Sequence, residues 1–158
     1  MLVTVVVWGQ IWAHLSNAGI EVLAFDIDQE TAESGIKFAQ EIKPAAFYNK
    51  DSCRLITPLN YNDHLSRLSE CNWVIEAISE RIDWKKELYA KINEHLNDAA
   101  VITSNTSGIS LDELSEDMNE NIKSRFFITH FFNPPRYMKL VEVIHSDSVN
   151  KDMLNGVI

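Results

Sequence analysis

The sequence predicts an α/β protein built on a doubly wound, mostly parallel β-sheet. Short apolar runs rich in β-branched residues alternate along the chain with amphipathic helical segments, as in sheets that carry helices on both faces. The last two apolar runs are joined by a link too short for a crossover helix, which predicts an antiparallel pair. The 158 residues suffice for one domain of this kind.

The first half of the chain begins with a predicted strand–helix–strand unit. A β-branched run at 2–8 indicates a buried strand, and a helical pattern over 10–18 ends at Gly19, a residue that terminates helices well. The next predicted elements are a strand at 20–25 ending on Asp26, a helix at 27–42, a short strand at 54–57 before Pro58, and a helix at 61–68 capped by Asn62 or Asp63.

The alternation continues in the second half. The predicted elements are a strand at 72–77, a helix at 83–96, a strand at 100–104, a helix at 111–118 capped by Ser110, and antiparallel strands at 126–131 and 140–144. A further helix begins near Val149. We therefore expect a first domain at 1–146 and, at 147–158, the start of a helical region that this sequence does not contain in full.

Composition excludes several classes of partner. The net charge is -9 and no dense basic cluster is present, so nucleic acid and anionic membranes are not expected to bind. No apolar run reaches the roughly 18 residues of a membrane span, and the apolar N-terminus lacks the features of a signal peptide. Cys53 and Cys71 show no metal-ligand spacing, which indicates a reducing, cytoplasmic location without a disulfide or metal site.

Asp26 is a candidate cofactor-binding residue. An acid at the tip of the second strand of a Rossmann unit accepts hydrogen bonds from the adenosine ribose hydroxyls. Its charge would repel a 2′-phosphate and so favours NAD over NADP. Taken alone, the pattern equally allows Asp26 to cap the following helix, because an acid after a strand is a common turn feature.

The loop between the first strand and helix contains one glycine, Gly9, where a dinucleotide site normally has three. Those glycines allow a tight turn and close approach of the backbone to the pyrophosphate. Gly9 is a candidate cofactor residue, but so short a loop predicts weak binding. Either the loop is truly deleted, or residues are missing from this sequence between Trp8 and Gly9. We favour the second explanation because the flanking elements are intact; the mass of the intact protein distinguishes the two.

Four groups of residues match motifs of one enzyme family in order and nearly in spacing. They are residues 17–26 (NAGIEVLAFD), residues 73–80 (WVIEAISE) with Lys85, residues 104–107 (SNTS), and residues 130–134 (HFFNP) with 138–144 (MKLVEVI). Over most of its length the chain resembles the NAD-binding domain of L-3-hydroxyacyl-CoA dehydrogenases. Residues 43–48, 56–60 and 133–138 further resemble the bacterial branch in which this enzyme is fused to an enoyl-CoA hydratase-like region.

The resemblance implies NAD-dependent oxidation of L-3-hydroxyacyl-CoA in fatty-acid β-oxidation, with His130 as the general base. Glu142 then accepts a hydrogen bond from the other ring nitrogen and fixes the tautomer, and the Ser107 hydroxyl contacts the 3-oxygen of the substrate. Histidine suits proton abstraction near neutral pH. An isolated histidine in an apolar strand is more often a hydrogen-bonded core residue; the surrounding motifs reverse that preference.

By the same resemblance, Asn105 lies near the nicotinamide, and Glu80 and Lys85 line the nicotinamide-ribose side. From the residues alone, 104–107 would be a turn at a strand end and Lys85 a solvated helix residue. Trp12, Trp73 and Trp84 are interpreted as packing residues rather than as cofactor-stacking ones.

The resemblance also implies a C-terminal helical domain that closes over the acyl-CoA and forms a homodimer. We expect the 158-residue chain alone to turn over poorly without it, because closure excludes water from the site. Two other functions remain open: a non-catalytic nucleotide-binding domain, and a dehydrogenase of a free 3-hydroxy acid. NADH titration separates the first from an enzyme, and a comparison of CoA thioesters with free acids separates the second.

Overall fold

The computed structural model describes residues 9–158 and the backbone of residues 2–6. Within that part of the chain, seven strands form one sheet in the order β3-β2-β1-β4-β5-β6-β7, with every pair parallel except β6–β7. The strands are β1 Leu2–Val6, β2 Glu21–Asp26, β3 Ile56–Asn60, β4 Trp73–Glu76, β5 Val101–Ser104, β6 Phe126–Phe131 and β7 Val141–Ile144. This is the predicted Rossmann-like sheet with an antiparallel edge pair.

The helices follow the predicted pattern in their main features. They are α1 Gly9–Asn17, α2 Gln29–Glu41, α3 Ile82–Asn93, α4 Leu111–Ser115, α5 Glu120–Lys123 and α6 Lys151–Val157, with 3₁₀ helices at Lys50–Leu55 and Leu65–Glu70. Gly19 follows α1 with a φ of 80°, a left-handed conformation that glycine adopts without strain. Ser110 caps α4 as predicted, and Glu113 completes a capping box.

The sheet separates two apolar cores because successive side chains of a strand point to opposite faces. On β2, Val22 and Ala24 pack into one core, against Trp12 of α1. Leu23 and Phe25 pack into the other, whose cover includes residues of α3 and α4. Both faces are therefore covered by helices, as the continuous apolar strands predicted.

A pair of glycines sets the approach of α1 to α2. A Cβ atom at Gly9 would lie 2.5 Å from the carbonyl oxygen of Gly35, and one at Gly35 would lie 2.7 Å from Cζ3 of Trp12. Both distances are shorter than carbon atoms tolerate, so the crossing requires glycine on each helix. Gly9, a candidate cofactor residue, thus also has a packing contact that the sequence did not reveal.

Three predicted element boundaries were wrong. Strand β3 runs through Pro58, because it is an edge strand where a missing N–H removes no ladder bond. No regular helix begins at 61–63: the Asn60 side chain accepts hydrogen bonds from the N–H groups of Asn62 and Asp63, each at 2.9 Å, and holds a turn there. Helix α4 ends at Ser115, and residues 7–8 of the first predicted strand lie outside the described residues.

The tryptophan and cysteine side chains lie in different environments. Trp12 and Trp73 are buried in the core, as predicted, whereas Trp84 lies at the surface. Trp84 is 47% exposed, with the Arg81 guanidinium 4.5 Å from its ring centroid. Cys53 and Cys71 are free thiols. Among the described residues, no helix is long and apolar enough to cross a bilayer.

Candidate active site

The predicted site residues lie at the carboxyl ends of neighbouring strands. Asp26 ends β2, Glu80 follows β4, residues 105–107 follow β5, and His130 lies near the end of β6. The strand order reverses between β1 and β4, and open α/β sheets bind their ligands at such a reversal. The topology therefore brings the predicted residues to one edge of the sheet.

His130 and Glu142 are directly opposite each other on the antiparallel strands β6 and β7. His130 Nδ1 lies 2.9 Å from Glu142 Oε2, so the predicted contact between the two side chains is present. The His130 side chain is 18% exposed and that of Glu142 is 50% exposed. A proton on Nδ1 would donate to the carboxylate and leave Nε2 able to accept one.

Phe132 and Asn105 frame the histidine. The Phe132 ring lies 4.7 Å from the His130 ring, centroid to centroid. Asn105 Oδ1 accepts a hydrogen bond from the Phe131 N–H at 2.8 Å, and the Asn105 N–H donates to the Glu76 carbonyl at 2.7 Å. Asn105 therefore ties the loop after β5 to β4 on one side and to the histidine-bearing strand on the other.

Glu80 holds the loop that contains Ser107. Its Oε1 accepts hydrogen bonds from the Thr106 hydroxyl, from the Ser107 N–H at 3.0 Å and from the Gly108 N–H at 2.9 Å. Burial acts to raise the pKa of Glu80, but these bonds and the charge of Lys85 outweigh it and hold the pKa below its usual value. Ser107 itself is exposed.

Lys85 lies in a buried network that the sequence did not reveal. Its side chain is 1% exposed, and Nζ lies 2.7 Å from Glu76 Oε1. The other carboxylate oxygen of Glu76 accepts hydrogen bonds from the Tyr89 and Ser104 hydroxyls, each at 2.6 Å. The interpretation of Lys85 as a solvated residue was wrong. The signal for Glu76 was available, because an acid ending an otherwise apolar strand must find partners.

Asp26 is the buried acid at the tip of β2. Its side chain accepts a hydrogen bond from the Ile27 N–H at 2.7 Å, while Asp28 caps α2 through Thr31. The interpretation of Asp26 as the helix cap was therefore wrong. Loss of hydration on burial raises the pKa of Asp26; the Ile27 bond opposes this shift and the charge of Asp28 adds to it.

These residues fit NAD at its two ribose ends. The buried carboxylate of Asp26 suits the adenosine ribose hydroxyls, and Glu80 and Asn105 offer polar groups beside the histidine strand. The fit is poorer at the pyrophosphate, because residues 7–9 join β1 to α1 with one glycine, and Gly9 already abuts Gly35. We therefore expect the short loop to weaken NAD binding at the pyrophosphate, in the middle of the dinucleotide.

Two of the segments that resemble the bacterial branch, residues 43–48 and 133–138, contact each other. Arg136 donates to the carbonyls of Ala45 and Phe47 at 2.7 and 2.6 Å. Its guanidinium also lies 4.3 Å from the Tyr48 ring centroid and 5.1 Å from that of Tyr137. These contacts join the link between β6 and β7 to the segment that follows α2.

An apolar cavity of about 300 Å³ lies between α3, α4 and α5, lined mainly by Ile92, Leu96, Leu114 and Met118. It contains none of the predicted site residues. Within the described part of the chain, no group of three or more His, Cys, Asp or Glu side chains could hold a metal ion.

The chain belongs to the family described as "3-hydroxyacyl-CoA dehydrogenase, NAD binding domain", whose model matches residues 6–158. NAD is the cofactor of that domain. The match includes the helix after the first strand, the motifs at 130–134 and 138–144, and the final helix.

Individual relatives agree with this assignment. A probable 3-hydroxyacyl-CoA dehydrogenase of Deinococcus radiodurans is 40% identical over 149 residues, which cover 90% of this chain and 43% of that protein. A putative fatty acid oxidation complex trifunctional enzyme of Rickettsia prowazekii is 38% identical over 92% of this chain and 21% of its own length. The chain thus spans less than half of each of these relatives.

A solved structure shares the fold. The crystal structure of 3-hydroxybutyryl-CoA dehydrogenase from Escherichia coli superposes with a TM-score of 0.83 at 24% identity, covering 99% of this chain and 35% of that one. At this identity the match supports the Rossmann-like fold and nothing finer.

Proposed function

We propose that this chain is the cofactor-binding and proton-abstracting part of an NAD-dependent dehydrogenase that oxidises L-3-hydroxyacyl-CoA to 3-oxoacyl-CoA in fatty-acid β-oxidation. The observation that carries the proposal is the 2.9 Å contact between His130 and Glu142 inside a chain of this family. The names of the relatives support the substrate class.

In this proposal His130 is the general base. Its Nε2 takes the proton of the 3-hydroxyl group as the hydroxyl carbon becomes a carbonyl. Glu142 holds Nδ1–H and stabilises the imidazolium that forms, which is the role of the acid in a histidine–carboxylate pair. The Ser107 hydroxyl donates a hydrogen bond to the same substrate oxygen.

NAD, when bound, would supply the acceptor for the hydride that leaves the 3-carbon. Asp26 would bind the adenosine ribose, and Asn105 and Glu80 would line the nicotinamide end. Asn105 Oδ1 is already engaged by the Phe131 N–H, so the side-chain amide NH₂ is the group that it offers to the cofactor. Gly9 begins α1, whose N–H groups would face the pyrophosphate.

We further propose that residues 1–146 form the NAD-binding unit and that a helical region, of which 147–158 is the start, covers the acyl-CoA and forms a homodimer in the cytoplasm. The support is that more than half of each relative lies outside the matched region. An exposed apolar strip beside the catalytic pair, which includes Met138, Leu140 and Ile144, agrees with such a cover.

Two measurements test the proposal. NADH fluorescence titration should show binding; absence of binding would instead support a non-catalytic domain, which the single-glycine link favours. Oxidation of (S)-3-hydroxybutyryl-CoA should exceed that of free 3-hydroxybutyrate. The reverse order of rates would indicate a dehydrogenase of free hydroxy acids.

A further inference from the structure

We propose that Thr106 is a positioning residue for Ser107, and that its buried hydroxyl shapes the substrate-oxygen loop, defined as residues 105–109. The proposal rests on the proposed function for the role of Ser107, the loop residue expected to contact the substrate. It involves one carboxylate oxygen of Glu80, Oε1, and leaves the contacts of Glu80 and Lys85 with the cofactor as the family resemblance implies them.

The first step is the burial of the Thr106 hydroxyl. Thr106 is 3% exposed, whereas the next two residues, Ser107 and Gly108, are exposed. A buried hydroxyl costs free energy unless it finds hydrogen-bond partners. The Thr106 hydroxyl donates to Glu80 Oε1, and its oxygen accepts from the Ile109 N–H at 3.1 Å. These two bonds together fix the direction of the Thr106 side chain.

The second step is the convergence of the loop on one carboxylate oxygen. Besides the Thr106 hydroxyl, Glu80 Oε1 accepts from the Ser107 N–H at 3.0 Å and from the Gly108 N–H at 2.9 Å. Burial acts to raise the pKa of Glu80, but these hydrogen bonds help to hold it below its usual value, so Oε1 belongs to an ionised carboxylate at neutral pH. The Thr106–Glu80 pair therefore holds the N–H groups of three consecutive residues, 107–109.

The third step is that both ends of the loop are fixed independently of Thr106. At its start, the Asn105 N–H donates to a carbonyl of β4 at 2.7 Å, and Asn105 Oδ1 accepts from an N–H of β6 at 2.8 Å. Directly after the loop, Ser110 caps α4. Removal of the Thr106 hydroxyl should therefore loosen the middle of the loop, where Ser107 lies, while its ends stay in place.

Three substitutions isolate the role of the hydroxyl. Thr106→Val keeps the shape of the side chain, but it leaves Glu80 Oε1 with one donor fewer and the Ile109 N–H without this acceptor. Thr106→Ser keeps the hydroxyl and loses only a methyl group. Thr129→Val is the matched control, because Thr129 is also buried and its hydroxyl donates at 2.8 Å to Thr103 rather than to the loop.

The first test measures hydrogen exchange of the Ser107 and Ile109 amides by NMR in the whole chain. We expect exchange about tenfold faster at both amides in Thr106→Val, and wild-type exchange in Thr106→Ser and Thr129→Val. Thr106→Ala, which needs less space, replaces the valine variant if that variant does not fold. Wild-type exchange in a folded variant that lacks the hydroxyl, or equally fast exchange in Thr106→Ser, would overturn the proposal.

A kinetic measurement separates this proposal from the proposed function. With a preparation that oxidises (S)-3-hydroxybutyryl-CoA, Thr106→Val should lower kcat by roughly tenfold, with a smaller change in NADH affinity, and Thr106→Ser should restore kcat. A wild-type kcat in Thr106→Val, or a loss confined to NADH affinity, would overturn the positioning role. If the wild-type chain oxidises no thioester, the proposed function fails, while the exchange experiment still decides whether Thr106 holds the loop.

Discussion

Substitution of glutamine for Glu142 keeps the shape of the side chain and removes its charge, so it isolates what that charge does for His130. In the proposed reaction the histidine becomes an imidazolium, and the carboxylate stabilises the positive ring more than the neutral one. Glutamine can still accept the hydrogen bond from Nδ1. The expected effect is therefore on the rate of turnover rather than on the binding of NADH.

The magnitude follows from the geometry of the pair. Hydrogen bonds to charged groups contribute about 1.5–3 kcal/mol when shielded, and exposed ion pairs contribute at most about 1 kcal/mol. The contact is short, at 2.9 Å, but the Glu142 side chain is half exposed. A loss of about 1.5 kcal/mol is the intermediate value, which corresponds to a kcat roughly tenfold lower.

The assay is the initial rate of NADH formation from (S)-3-hydroxybutyryl-CoA at saturating NAD, with NADH affinity measured separately by fluorescence. Nitrogen-15 NMR of the histidines should show His130 protonated at Nδ1 in the wild type and a mixture of tautomers in Glu142→Gln. Glu21→Gln, at the exposed start of β2, is the matched control. A wild-type kcat in Glu142→Gln, or an equal loss in Glu21→Gln, would refute the reasoning.

Two further substitutions test the cofactor side of the fold. Burial raises the pKa of Asp26 in the folded chain above its value in the unfolded chain. Between these two pKa values the folded chain holds a proton that the unfolded chain has lost, so the free energy of unfolding falls as the pH rises through this range. Asp26→Asn, which still accepts from Ile27, should remove that fall, raise the melting temperature at pH 7 and weaken NADH binding; an unchanged melting temperature and NADH affinity would contradict this. Gly35→Ala should lower stability by about 1–3 kcal/mol in urea unfolding, because its Cβ would lie 2.7 Å from Trp12. Gly156→Ala is the control, because a Cβ atom there meets nothing within 4 Å. Equal free energies of unfolding for the two variants would show that α1 and α2 can move apart without cost.

Sequence patterns predicted the sheet because it depends on local signals, whereas the contact between His130 and Glu142 was predicted by the family resemblance. Continuous apolar runs indicated strands buried on both faces, and the short link with Pro134 required the last pair to be antiparallel. In the structure the register of that pair brings His130 opposite Glu142, twelve residues away. The site residues after β4 and β5 were likewise marked by motifs of the family.

The contacts that the sequence did not predict join residues far apart in the chain. The tie between Glu76 and Ser104 depends on two adjacent strands packing in one register, which no local pattern specifies. Gly9 gave the signal of a phosphate loop, and its contact with Gly35 depends on the angle at which two helices cross. The helix expected near Asn62 failed because a side-chain acceptor competed with the helical hydrogen bonds.

The most direct measurement of the central claim compares wild type with His130→Ala for the NAD-dependent oxidation of (S)-3-hydroxybutyryl-CoA, in the longest form of the protein available. We predict that the wild type forms NADH and 3-oxoacyl-CoA in equal amounts, and that His130→Ala loses roughly 100-fold or more in kcat, the usual scale for a general base, while still binding NADH. Wild-type turnover in His130→Ala, or no oxidation of the thioester by the wild type, would contradict the account.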